Sequence, residues 1–125
     1  MKIIGTKAKD NLVGTTGVDF INGKRGADVL VSNGGDDVMK GGKGADTFVF
    51  FASPEASLDL SLILDFQPNK DSILIVAEGF EANVAQRYDE QTGVVSINYG
   101  GDTDTDGIVQ ITSGLYLHSG DILVG

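Results

Sequence analysis

Apolar and polar positions repeat every nine residues, without a gap, between residues 5 and 49. The five units read GTKAKDNLV, GTTGVDFIN, GKRGADVLV, SNGGDDVMK and GGKGADTFV. The eighth place of each unit is apolar: Leu12, Ile21, Leu30, Met39 and Phe48. The sixth place is always aspartate: Asp10, Asp19, Asp28, Asp37 and Asp46. A repeat this regular indicates similar units stacked on one another.

Each unit predicts a tight turn followed by a very short strand. The first six places are rich in Gly, which adopts positive φ without strain, and the last three alternate as a strand does. Two units then make one coil of a flattened spiral, so that units two apart stack on the same edge. We therefore expect one column formed by Asp10, Asp28 and Asp46, and a second column formed by Asp19 and Asp37.

Stacked aspartates predict a cation between the coils. Neighbouring coils lie about 4.8 Å apart, as paired strands do, and two carboxylates at about 5 Å repel by roughly 3 kcal/mol at an effective dielectric of about 20. A bound cation would remove this repulsion. Carboxylate oxygens and the carbonyl oxygens of Gly-rich turns are hard ligands, which favours Ca²⁺ over Zn²⁺ or copper. Candidate carbonyl ligands lie near Gly14, Gly17, Gly23, Gly26, Gly41 and Gly44.

The repeat resembles the Gly-Gly-x-Gly-x-Asp-x-U-x unit of RTX (haemolysin-type) calcium-binding proteins. The fifth unit matches at every place, whereas Ala8 replaces the fourth Gly of the first unit and Ser32-Asn33 replace the opening Gly pair of the fourth. Those two turns are expected to bind calcium more weakly. The resemblance implies a right-handed parallel β-roll that holds several Ca²⁺ ions. A flexible Gly/Asp linker is the alternative, but it would not keep two residue types nine apart over five units.

Apolar segments after the repeats predict further strands. They are Leu60–Leu64, Ser72–Val76, a hairpin of Val84–Tyr88 with Val94–Tyr99, Ile108–Ile111 and Ile122–Val124, after a loop at 52–57. The segment from Asp65 to Asp71 resembles an element that follows the last repeat in serralysin-type proteases. That likeness implies that Asp65 and Asp71 close the last calcium sites; both could equally be plain turn residues. The fold class is therefore all-β, with a β-roll over 1–51 and a C-terminal β-strand and hairpin cap over 52–125, in one continuous module.

The Asp-x-Asp-x-Asp-Gly spacing at 102–107 resembles an EF-hand loop only in part. Ser113 stands where that loop needs a bidentate Glu, and β-type segments flank it. A weak extra cation site or an acidic turn fits this segment better.

Charge divides the chain into two unlike halves. The net charge is −9 overall, but residues 1–50 carry seven Lys or Arg and six Asp, whereas residues 51–125 carry two and twelve Asp or Glu. Lys7, Arg25 and Lys43 share the third place of odd-numbered units and should form a basic ladder on one edge. The ladder either keeps the stack soluble or binds an extended polyanion such as an acidic polysaccharide. Nucleic acid is disfavoured, because the chain is acidic and no aromatic residues interleave with the bases.

These features predict a calcium-binding module of a secreted protein that folds on binding Ca²⁺. The chain has no Cys, so bound metal would take the place of disulfides. With His118 as the sole histidine it has no His-Glu-x-x-His zinc site, and we expect no enzymatic activity. No apolar run reaches the ~20 residues of a membrane span, and Met1–Gly5 is too short for a signal peptide. The resemblance implies export by a type I secretion machinery. The rival function is binding of an alginate-like polysaccharide, as in similar modules of mannuronan C-5-epimerases.

Overall fold

The computed structural model describes residues 1–51, 59–68, 70–76, 85–98, 107–111 and 121–124. These residues form strands and turns. The strands are β1 (Lys2–Ile4), β2 (Asn11–Val13), β3 (Phe20–Asn22), β4 (Val29–Val31), β5 (Val38–Lys40), β6 (Thr47–Phe51), β7 (Asp59–Ile63), β8 (Ser72–Val76), β9 (Ala85–Asp89), β10 (Val94–Asn98), β11 (Gly107–Gln110) and β12 (Ile122–Val124). No helix among the described residues is long and apolar enough to cross a bilayer.

Successive repeats alternate between two sheets, and the strands of the repeats pair in parallel within each sheet. The seven-stranded sheet has the order β1-β3-β5-β7-β11-β10-β9, and the five-stranded sheet has the order β12-β8-β6-β4-β2. Strands two units apart pair in parallel register, as in Leu12 opposite Leu30 and Ile21 opposite Met39. The all-β fold with a parallel β-roll is therefore confirmed, together with the predicted stacking of units two apart. Its right-handedness stays a prediction.

The core lies between the two sheets and is built from the eighth places of the repeats. Side chains at this place point inward because alternate residues of a strand face opposite sides. The fully buried ones are Ile21, Leu30, Met39 and Phe48. Leu12 is only half-buried, because β2 is the edge strand of its sheet. The aromatic ring of Phe66 extends the core, with its centroid 6.2 Å from that of Phe48.

The five turns, numbered here 1 to 5 (residues 5–10, 14–19, 23–28, 32–37 and 41–46), fall into two kinds. Turns 3, 4 and 5 have positive φ at their second and fourth places. These residues are Lys24 (70°), Gly26 (93°), Asn33 (60°), Gly35 (80°), Gly42 (82°) and Gly44 (105°). Turns 1 and 2 have Thr6 and Thr15 at the second place, and neither adopts positive φ. A β-branched residue strongly disfavours that region, so the sequence itself selects the second kind of turn.

The chain after the repeats continues both sheets. Strand β7 adds to the seven-stranded sheet beside β5, and β8 adds to the five-stranded sheet beside β6. Strands β9 and β10 form the predicted antiparallel hairpin, which ends the seven-stranded sheet. The division into 1–51 and 52–125 stays a prediction. The predicted loop at 52–57, the acidic segment at 102–106, Ser113 and His118 lie outside the described residues.

Candidate metal centre

The repeat aspartates stand in the two predicted columns, and the last three of them bond the coil before their own. The Oδ1 of Asp28 accepts a hydrogen bond from the backbone N–H of Asp10 at 2.8 Å, eighteen residues earlier. Asp37 does the same for Asp19 at 2.9 Å, and Asp46 for Asp28 at 3.0 Å. One oxygen of each carboxylate thus stabilises the stack without metal, which the sequence analysis missed.

Asp71 extends the first column beyond the repeats. Its Oδ1 accepts the N–H of Asp46 at 2.9 Å, and its Oδ2 accepts the N–H of Gln67 at 2.9 Å. Asp65 lies beside the start of the fifth turn. Its two carboxylate oxygens accept hydrogen bonds from the N–H groups of Gly41 and Gly42, at 2.9 and 2.8 Å. Both residues adjoin the last turn as expected; their role in holding metal stays a prediction.

The hydrogen bonding of the second carboxylate oxygen, Oδ2, differs between the turns. In turn 1 the Oδ2 of Asp10 accepts bonds from the N–H and the hydroxyl of Thr6, at 2.6 and 3.1 Å. In turn 2 Thr15 bonds Asp19 in the same way. These threonine caps are local side-chain to backbone motifs of the kind that Thr and Asp favour, and Thr at the second place of both units was the sequence signal for them.

In turns 3 and 5 the second oxygen is left open. The Oδ2 atoms of Asp28 and Asp46 are buried without a hydrogen-bond partner among the described residues. Both side chains are only 1% exposed. An unsatisfied buried acceptor costs about 1–3 kcal/mol, and more when it is charged. A bound cation would remove this cost at the Oδ2 atoms of Asp28 and Asp46.

Backbone oxygens flank the same space. A Cβ placed on Gly23 would lie 2.5 Å from the Oδ2 of Asp28 and 2.8 Å from the carbonyl oxygen of Gly41. Gly at this position therefore leaves room between a carboxylate and a carbonyl, and both are hard donors. No cluster of three or more His, Cys, Asp or Glu side chains occurs in the described part of the chain. A metal here would take one or two carboxylates plus backbone carbonyls and water, which fits Ca²⁺ and does not fit Zn²⁺.

The pKa values follow the same division. Burial raises the pKa of Asp28, and the nearby carboxylate of Asp10 adds to the effect. Burial, with the carboxylates of Asp71, Asp28 and Asp65, raises the pKa of Asp46 to about 6. Burial also acts on Asp19, but hydrogen bonds from Thr15 and the N-terminal ammonium of Met1, 3.2 Å from its Oδ1, together outweigh burial, so that its pKa is lowered.

Burial likewise raises the pKa of Asp37, even though the Ser32 hydroxyl donates to its Oδ2. Asp71 shares this direction, again chiefly through burial. Without a cation, burial thus makes the charged form of Asp28, Asp37, Asp46 and Asp71 less favourable than it is in water.

Basic side chains line a groove beside turns 1, 3 and 5. This basic groove has a volume of about 690 Å³ and is lined by Lys7, Lys24, Arg25, Lys40 and Lys43, together with Asp65, Gln67 and neighbouring residues. The N–H of Arg25 donates a hydrogen bond to the carbonyl oxygen of Thr6, and the N–H of Lys43 donates one to that of Lys24. These bonds join turn 1 to turn 3 and turn 3 to turn 5. The structure thus brings together the predicted ladder of Lys7, Arg25 and Lys43.

Comparison with known proteins identifies the repeats. Residues 4–48 match the family model of the RTX calcium-binding nonapeptide repeat, in four copies. The resemblance stated from the sequence is confirmed over this segment. No characterised protein sequence matches the chain significantly.

Two solved structures of similar chains come from the Azotobacter vinelandii mannuronan C5-epimerase. The solution structure of its AlgE6R3 subunit is 23% identical, with a TM-score of 0.35, and the match covers 85% of this chain and 70% of that one. The solution structure of its AlgE6R2 subunit is 23% identical, with a TM-score of 0.37, and the match covers 98% of this chain and 91% of that one.

Proposed function

We propose that this chain, which carries RTX repeats over residues 4–48, is a non-enzymatic calcium-binding β-roll module of a secreted protein. In this proposal Ca²⁺ binds in the turns, and the roll is stabilised only when the ion is present. The observation that carries the proposal is the pair of buried, unpartnered oxygens on Asp28 and Asp46.

Calcium would supply what the protein lacks at those two atoms. The residues that would hold it are Asp28 and Asp46, with the carbonyl oxygen of Gly41 beside them. A divalent cation bound there neutralises carboxylates whose burial otherwise disfavours their charge. The site would thus couple metal binding to folding, because the unfolded chain does not hold these oxygens together.

Such coupling would tie the fold to location. A chain that stays loose at low cytosolic calcium and orders outside the cell is suited to export through a type I secretion machinery. The absence of Cys agrees with stabilisation by metal.

Thermal unfolding followed by circular dichroism tests the proposal. Calcium at 100 times its Kd should stabilise the fold by about 2.7 kcal/mol per site, which raises the Tm by roughly 10 °C for a domain of this size. Magnesium is the matched control, because it demands a tighter octahedral shell and should stabilise much less. Equal melting curves in calcium and in chelator would contradict the proposal.

A second candidate function rests on the basic groove. Five cationic side chains converge on one open face of an otherwise acidic protein. An extended uronate polymer carries one carboxylate per sugar and could bind along Lys7, Arg25 and Lys43. The function would then be recognition of an acidic polysaccharide.

Titration with a mannuronate oligomer tests this candidate. Binding should weaken steeply as salt rises, because exposed charges are screened within about 10 Å at 0.1 M. Replacing Lys7, Arg25 and Lys43 by Gln should abolish it. The matched control replaces Lys2, Lys9 and Lys70 by Gln, which removes three exposed charges that do not line the groove. Equal losses in both variants would mean that net charge, and no defined groove, drives binding.

A further inference from the structure

We propose that, among the five repeat turns, calcium binds only between turns 3 and 5, and that the edge formed by turns 2 and 4 is closed by hydroxyl groups without metal. The inference rests on the proposed calcium-binding function and specifies which of the five aspartates take part. The two edges are called here the Asp28 edge (turns 1, 3 and 5) and the Asp19 edge (turns 2 and 4).

Both carboxylate oxygens of Asp19 and both of Asp37, the two repeat aspartates on the Asp19 edge, already have a donor. The Oδ2 of Asp19 accepts the N–H of Thr15 at 2.6 Å, and its Oδ1 accepts the Thr15 hydroxyl at 2.9 Å. The Oδ1 of Asp37 accepts the N–H of Asp19, and its Oδ2 accepts the hydroxyl of Ser32. Neither repeat aspartate on this edge therefore has a buried oxygen without a partner, in contrast to Asp28 and Asp46, and a cation would have to compete with these donors.

On the Asp28 edge, turns 3 and 5 direct the equivalent donor elsewhere. In turn 3 the N–H of Lys24, at φ 70°, bonds the side chain of Asn22 at 3.0 Å. In turn 5 the N–H of Gly42, at φ 82°, bonds Asp65. In turns 1 and 2 the N–H of the second residue donates to the Oδ2 of the aspartate in the same turn. In turns 3 and 5 this N–H donates to another side chain, and no hydroxyl group donates to the Oδ2 in its place. This leaves the Oδ2 of Asp28 and of Asp46 open.

The neighbours of this pair are closed at both ends of the column. Thr6 caps the Oδ2 of Asp10, and the N–H of Gln67 caps that of Asp71. The open oxygens are thus confined to Asp28 and Asp46, which are consecutive in the column and linked by the bond from the Asp28 N–H to Asp46. The space beside Gly23, flanked by the Gly41 carbonyl, is where the ion would lie. The chain should bind fewer ions than its five aspartates suggest.

Two paired variants, measured by calorimetric calcium titration, test the assignment. Asp28→Asn with Asp46→Asn should weaken calcium binding at least 100-fold. Asp19→Asn with Asp37→Asn makes the same change of charge on the other edge, and should keep the number of ions and change Kd less than threefold. Loss of ions from the Asp19-edge pair, in a variant whose circular dichroism shows a folded chain, overturns the assignment. If the unchanged chain binds no calcium at all, both this assignment and the proposed function are refuted.

A second variant covers the case in which Asp19→Asn with Asp37→Asn does not fold. Thr15→Val with Ser32→Ala removes both hydroxyls and leaves every carboxylate in place. If these hydroxyls keep metal off the edge, their removal leaves the Oδ2 of Asp37 without its donor, so the variant should lose Tm in chelator and should bind at least one more calcium ion than the unchanged chain. A calcium stoichiometry equal to that of the unchanged chain, in a variant that circular dichroism shows to be folded, would show that the hydroxyls do not exclude metal and would overturn the proposal.

Discussion

Gly42 offers the sharpest test of how closely the coils approach. It has φ +82°, and a Cβ placed on it would lie 1.9 Å from the backbone carbonyl oxygen of Lys24 in the coil below. Gly42→Ala therefore combines two costs. The left-handed conformation costs an L-residue roughly 1–2 kcal/mol. The clash forces one turn away from the other, which breaks the 3.0 Å bond from the Lys43 N–H to Lys24.

The total should exceed the strain alone by about the value of the lost hydrogen bonds. The Lys43 bond contributes about 1 kcal/mol, and the bond from the Gly42 N–H to the Asp65 carboxylate about 1.5–3. We therefore expect Gly42→Ala to lower the free energy of unfolding by roughly 3.5–6 kcal/mol. Urea denaturation in saturating calcium, followed by circular dichroism, measures this value.

Two other glycines separate the two costs. Gly34 also has positive φ, at +97°, but a Cβ there would meet nothing within 4 Å, so Gly34→Ala should cost the strain of about 1–2 kcal/mol only. Gly17 lacks positive φ, and its nearest contact would be the Thr15 hydroxyl at 3.7 Å. Gly17→Ala should be neutral or stabilise by about 0.4–1 kcal/mol through the unfolded chain. If Gly42→Ala and Gly34→Ala unfold at the same urea concentration, the close approach of turns 3 and 5 is refuted.

Three further predictions concern the core, the last turn and pH. Phe48→Ala should lower the free energy of unfolding by about 3–5 kcal/mol in urea denaturation, because its side chain is 0% exposed. An effect as small as that of replacing an exposed residue by Ala would contradict its position in the core. Asp65→Asn should lower stability by about 1–2 kcal/mol in thermal unfolding, since it removes the charge that accepts the N–H groups of Gly41 and Gly42; an unchanged Tm would rule out this cap. In chelator, the pKa of Asp46, raised to about 6 from 3.8, means that the folded state binds more protons than the unfolded state between these values. The metal-free protein should therefore gain about 2 kcal/mol as pH falls from about 7 to about 4, and a urea midpoint that falls over this range would contradict the sign.

The strand positions and the core could be predicted because they depend on local periodicity. A nine-residue repeat with an apolar eighth place fixes which side chain points inward in every coil, and Met39 follows that rule as well as Leu30 does. The hairpin was predicted from alternation on both sides of a Gly-ended turn, and the observed β9 and β10 differ from it by a single residue at three of the four strand ends.

Pairings between distant segments could not be predicted in this way. Asp71 completes the first column although it lies 25 residues after Asp46, whereas the repeats are 18 apart. The period carries no information on such an insertion. Strand β11 pairs with β7 in parallel, Val109 opposite Ser61, across more than forty residues of chain. Such a pairing depends on which sheet edge is still open, and no local pattern states that.

The candidate site was predicted in composition but not in detail. The aspartate columns follow from the repeat, yet the bonds from backbone N–H groups to the Oδ1 atoms of Asp28, Asp37 and Asp46 were not predicted. The distinction between turns depends on the second place of each unit, where Thr15 closes a carboxylate and Gly42 leaves one open. This difference is visible in the sequence, but its meaning requires knowing where each N–H points.

The backward reach of the aspartates gives the stack a polarity. Each carboxylate satisfies the amide of the coil that precedes it in the chain, so a coil stays incomplete at that amide until its successor is in place. For the final repeat the successor is Asp71, which lies outside the repeats. The amide of Asp46 thus depends on a residue beyond the repeats, and a fragment that stops after the fifth unit would lack the carboxylate that accepts from it.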